Sequence, residues 1–172
     1  HQRSDGAVLA ITAIPNSIGS TKTRKWHRLI RPWVNHLVAC ANGLSLTTAL
    51  VASDDSLLLA PFEEPVAQRL LGDMLLAWQT GMRQPLPIAV KTAFAWLGQT
   101  DPDKAEAAAR KAYEGDGQTF EGERRESPAL ARQFPDFDAL MADETFPDWC
   151  DALYRPLLEA PWRSLVGEEA RS

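Results

Sequence analysis

Apolar positions along the chain change period several times, and each change marks an element. Ala7 to Ile14 is a short, β-branched apolar run between Asp5-Gly6 and Pro15-Asn16-Ser17, which predicts a buried strand. After a polar connection, Trp26, Ile30, Trp33, Leu37 and Cys40 recur at helical spacing up to Asn42-Gly43. Gly43 suits the left-handed residue that closes a helix, and Pro32 either opens that helix in its first turn or kinks a longer one. Leu46–Val51 and Leu57–Leu59 flank Ser53-Asp54-Asp55-Ser56, a hairpin signature. Glu64-Pro65 opens a helix with the stripe Val66, Leu70, Met74, Leu75 and Trp78, and Gly81 stops it.

The rest of the chain predicts helices. Pro85-Leu86-Pro87 forces an extended piece, and Thr92 to Leu97 reads as a short buried helix. Asp101 is an N-cap with Pro102 at the first helical position, and Ala105, Ala109 and Ala112 form a slim packing face. Gly115-Asp116-Gly117 breaks that helix. Residues 118–145 read as irregular chain with one or two short helices. Trp149, Leu153 and Leu157 make a last amphipathic segment, interrupted by Pro156. The pattern predicts one mixed α/β domain over residues 1–162, with a fraying tail over 163–172.

Composition narrows the class. With 172 residues, 45% hydrophobic and 24% charged, the chain can bury one sizeable core. No window approaches the ~18 apolar residues that span a bilayer, so a membrane protein is excluded. Cys40 and Cys150 stand far apart without metal-ligand spacing, so neither a zinc site nor a disulfide framework is suggested, and the cytosol is the natural compartment. The net charge of −5 is unevenly spread. Residues 1–33 hold six Lys and Arg against Asp5 alone, so the other 139 positions are net acidic. Such a body argues against nucleic-acid binding over the whole surface and leaves room for a local basic strip. The chain opens on His1 without a signal pattern and reads as a piece of a longer protein.

Motifs for chemistry are missing rather than present. There is no GxxxxGK[ST] and no GxGxxG, and Gly43-Leu44-Ser45-Leu46-Thr47 lacks the second glycine of a nucleophile elbow. His27 and His36, nine apart, fall on roughly opposite faces of a helix and read as surface or capping residues. A strand–helix–hairpin core also fits a restriction-endonuclease-like enzyme, which needs an acidic residue two positions before a lysine to hold Mg²⁺ and prime water. Here Lys22, Lys25, Lys91, Lys104 and Lys111 are preceded at that spacing by Ser20, Thr23, Ala89, Pro102 and Ala109. The first strand, where the motif would sit, offers Ala10, Ile11 and Thr12. Asp54-Asp55 reads as turn chemistry, and Asp101, Asp103 and Glu106 suit a helix dipole.

One cluster is positive in both senses. Lys22, Arg24, Lys25, Arg28 and Arg31 surround Trp26, a pattern that fits a phosphate backbone with a base stacked on the indole, or a solvated face with Trp26, which continues the stripe of Ile30 and Trp33, as a core anchor. Trp149 and Trp162 flank broken helical segments and are candidate interface residues.

Four blocks carry a resemblance: Trp33 to Gly43, Gln79 to Leu86, Ala95-Trp96-Leu97 and Lys111 to Gly115, in that order. Together they resemble the C-terminal domain of RecC, the gamma subunit of the RecBCD helicase–nuclease (exodeoxyribonuclease V). The resemblance implies an α/β fold of the PD-(D/E)XK type, a mixed sheet flanked by helices, with its active site lost and a helical C-terminal part. It further implies a non-catalytic role beside RecB-like and RecD-like helicase subunits, lining channels for a double-stranded DNA end and its separated single strands, with no cofactor. A Mg²⁺-dependent nuclease drawing its acids from a missing upstream segment, and a protein–protein adaptor without DNA contact, are the alternatives.

Overall fold

The computed structural model describes residues 8–21 and 23–165. Strand β1 (Val8–Ile14) leads through a single 3₁₀ turn (Trp26–Arg28) into α1 (Ile30–Ala41), then β2 (Leu46–Ala52) and β3 (Ser56–Leu59). A long helix α2 (Glu64–Gly81) follows, then α3 (Val90–Leu97), α4 (Pro102–Glu114), α5 (Glu123–Glu126), α6 (Pro128–Gln133), α7 (Phe137–Met141), α8 (Phe146–Leu153) and α9 (Arg155–Glu159). The chain ends its described part in β4 (Trp162–Ser164). The residues group into two compact units, His1–Asp73 with Leu157–Ser172, and Met74–Pro156.

The first unit is a four-stranded mixed sheet in the order β1-β2-β3-β4. β1 and β2 run parallel, Ala10 beside Thr48 and Thr12 beside Leu50, which requires the crossover that α1 supplies. β2, β3 and β4 are antiparallel. Pro32 lies in the first turn of α1, where a missing N–H costs nothing. At the other end Gly43 (φ +78°) donates to the Cys40 carbonyl and Leu44 to the Ala39 carbonyl, a Schellman closure. The inner face of α1 buries Trp33, His36, Leu37 and Cys40. His36 Nδ1 lies 2.8 Å from Thr48 Oγ1, and its Nε2 lies 3.6 Å from Cys40 Sγ. His36 is therefore a core residue rather than a surface or capping one, and burial pushes its pKa down. Alternation sends Ile11 and Val51 to the sheet face away from α1, where both are exposed.

The second unit is helical. Asp101 caps α4 by accepting from the backbone N–H groups of Asp103 and Lys104, with Pro102 at the helix start. Ala105, Ala109 and Tyr113 are its buried face, so Tyr113 takes the place expected of Ala112. The buried carboxylate of Glu123 accepts from the Lys91 and Thr92 backbone N–H groups and from the Thr92 hydroxyl, which caps the start of α3. Edge-to-face rings run from Trp96 to Phe146 and from Phe146 to Phe137.

Three further expectations need correction. Residues 118–145 hold three short helices, because Ser127 and Asp136 cap α6 and α7. Arg163 and Ser164, placed in a fraying tail, form β4, since β3 offers them a partner edge; residues 166–172 lie outside the described part. In α2 the buried positions are Ala67, Leu70 and Ala77, while Leu75 and Trp78 are exposed. The sheet unit and the helical unit are each compact.

Candidate nucleic-acid interface

The connection from β1 to α1 carries the basic cluster, and the hairpin turn between β2 and β3 holds it in place. Asp54 accepts from the Ser17 hydroxyl (2.6 Å) and from the backbone N–H groups of Ile18 and Gly19 (2.8 Å each). These donors hold its carboxyl at about 2, below the ordinary 3.8. Gly19 has φ +77°, and a Cβ there would sit 2.2 Å from the Thr23 carbonyl oxygen, so the turn admits only glycine. Next to it, Asp55 accepts from Arg24 Nη2 (2.8 Å), the Ser164 hydroxyl (2.7 Å) and its neighbour's N–H at Ser56 (2.8 Å). Burial alone would raise the Asp55 pKa, but these three donors bring it below the usual value. Two adjacent aspartates thus tie the basic connection and the last strand to one hairpin. The turn chemistry read from Asp54-Asp55 extends to a long-range clasp.

The clasp sorts the cations. The Arg24 side chain is only 4% exposed and is spent on Asp55 and on the Gly19 carbonyl (2.7 Å). Arg28 is half-buried and donates to the Ser17 carbonyl. Lys25 and Arg31 are exposed, with Lys25 Nζ 3.5 Å from the Ser17 hydroxyl. Lys22 lies outside the described residues. Of the described cations in the group, Lys25 and Arg31 are the ones presented to solvent, so they are the ones able to meet a phosphate.

Trp26 and Trp162, singled out for different reasons, line the same cleft. It encloses about 240 Å³, with Arg24, Thr21 and Ser164 among its walls, and no carboxylate belongs to its described lining. Trp162 is fixed: its indole N–H donates to the Leu157 carbonyl (3.1 Å), and its ring leans on buried Trp33 with centroids 6.5 Å apart. Trp149 belongs to α8 in the other unit and is half-buried.

Sequence reasoning missed the bare flank of α2. Trp78 is 62% exposed and Met82 71%, with Leu75 and Leu76 also exposed. The signal was available, since the apolar arc of this helix is wider than one packing face. Among the described residues no group of three or more His, Cys, Asp or Glu could hold a metal ion. No helix of the described residues is long and apolar enough to cross a membrane.

Residues 6–101 match the family model of the RecC C-terminal domain. The chain belongs to that family. RecC is the gamma subunit of RecBCD, so the membership puts this RecC domain in the setting of DNA repair and recombination. The matched range takes in the sheet through β3, the basic connection, and the three motif blocks that end at Leu97. The Lys111–Gly115 block and Trp162 lie beyond it. No curated protein matches the chain.

Proposed function

We propose that this RecC C-terminal domain is a non-catalytic part of the gamma subunit, a nuclease-like scaffold that lines a DNA channel and docks on RecB-like and RecD-like helicase subunits in the cytoplasm. The family match over residues 6–101 carries the reading. Three features support it. The β1–α1–β2 crossover followed by a hairpin suits a restriction-endonuclease-like core. β1 carries Ala10 and Thr12 where such an enzyme would keep its acidic residue, and no lysine is preceded at the required spacing by an acid. Lys25 and Arg31 stand exposed on the connection, and the apolar flank of α2 offers a surface for a partner subunit.

DNA affinity measured against salt concentration tests the reading. Wild-type chain should bind duplex and single strands with a negative slope of log K on log salt, and Lys25→Ala with Arg31→Ala should flatten that slope by about one for each cation removed. Arg24→Ala should instead act through stability, because its guanidinium is buried. Salt-insensitive or absent binding would leave the adaptor reading, which the exposed Trp78 and Met82 favour.

A further inference from the structure

We infer that the cleft between Trp26 and Trp162 receives one unpaired nucleobase, so that this domain favours single-stranded over duplex DNA. The inference rests on the DNA-contact reading above and names the ligand of that site.

Size comes first. Drug-sized ligands fill roughly 300–1,000 Å³, and a cleft of about 240 Å³ has room for a single planar ring system. Its chemistry matches such a ring. Two tryptophans supply the aromatic surface on which any base stacks regardless of sequence. Trp162 is held by its hydrogen bond to Leu157 and by Trp33, so little side-chain freedom is lost when a ring settles against it. Thr21 brings a hydroxyl that can donate or accept at a base edge, and Ser164, whose proton goes to Asp55, brings one that can accept.

Charge points the same way. The chain is net −5, yet the cleft is lined among its described residues by a cation and by no carboxylate. The Arg24 charge is matched by Asp55, and the Asp54 carboxylate is surrounded by three donors. A neutral ring therefore meets no uncompensated acid. Lys25 precedes Trp26 in the chain and is exposed, so a phosphate attached to a base at Trp26 has a counter-charge beside it. A paired, stacked base in a duplex cannot reach such a cleft without being unpaired and unstacked, whereas a single strand has largely met that cost already.

The test compares three probes on the full chain by fluorescence anisotropy at low salt: a short oligothymidylate, an oligomer of abasic sites of equal length and charge, and a blunt duplex. Wild type should hold the oligothymidylate roughly tenfold or more above the abasic strand. Trp26→Ala should erase that preference without changing the salt slope, and Trp26→Phe should retain most of it. Equal affinity for the thymidylate and abasic strands overturns the inference while the phosphate reading stands. Absence of salt-dependent binding to every probe overturns both. The wild-type comparison decides the matter even if Trp26→Ala fails to fold.

Discussion

The sheet unit and the helical unit are held together by different physics. In the sheet unit the deciding bonds are long in sequence: Ser17 and Gly19 reach Asp54, Arg24 reaches Asp55, and Ser164 reaches the same carboxylate across 109 positions. The helical unit relies on caps of neighbouring turns, Asp101 on α4, Ser127 on α6 and Asp136 on α7, with edge-to-face rings between its helices. Glu123, capping α3 from about thirty residues away, is its nearest counterpart to the clasp. Ionic clasps put several segments at risk from one substitution, whereas a local cap puts one turn at risk.

The largest break should come at Asp55. Asp55→Ala leaves the buried Arg24 guanidinium unpaired and removes the anchor of β4, a loss of roughly 3–5 kcal/mol in denaturant unfolding. Asp55→Ala in an Arg24→Ala background should cost distinctly less, because the stranded charge is gone. Glu123→Ala should cost about 1–3 kcal/mol, since it orphans two backbone donors and a hydroxyl at the start of α3. Glu123→Gln, which keeps an acceptor oxygen, should cost less. An equal loss for both Glu123 substitutions would mean that the cap is not the source of the effect.

The smallest effect is a pH dependence. Asp54 has its carboxyl lowered from 3.8 to about 2 by the donors of Ser17, Ile18 and Gly19. A lowered carboxylate contributes stability that is complete above the unfolded value and is lost as pH falls through the folded one. Melting temperature should therefore drop more steeply between about pH 4 and pH 2 in wild type than in Asp54→Asn, which has no proton to take up. Parallel curves would remove Asp54 from the clasp.

The same contrast explains what could be read from the residues alone. Elements specified by neighbours were legible. Gly43 closing α1, Asp101-Pro102 opening α4 and the Ser53–Ser56 turn each carry their own stereochemistry. Features specified by a distant partner were not. Three residues of β4 hold no strand signal without β3 beside them. Arg24 looked like a solvent cation because its counter-ion is 31 positions away. His36 looked like a surface residue because Thr48, its partner, lies on another element. The α2 stripe was misplaced because the helix is apolar over more than one face, and pattern alone does not say which part a neighbour covers. For the candidate interface, the basic cluster and both tryptophans were legible, but the cleft shared by Arg24, Trp26 and Trp162 was not, because it joins the first connection to the last strand.

An end-labelled linear duplex incubated with the chain in Mg²⁺ and then in Mn²⁺, followed on native and denaturing gels, tests the central claim most directly. A scaffold that touches DNA without the groups to grip a divalent ion should retard the native duplex and leave every strand at full length. Metal-dependent shortening that a point substitution in this chain abolishes would contradict it.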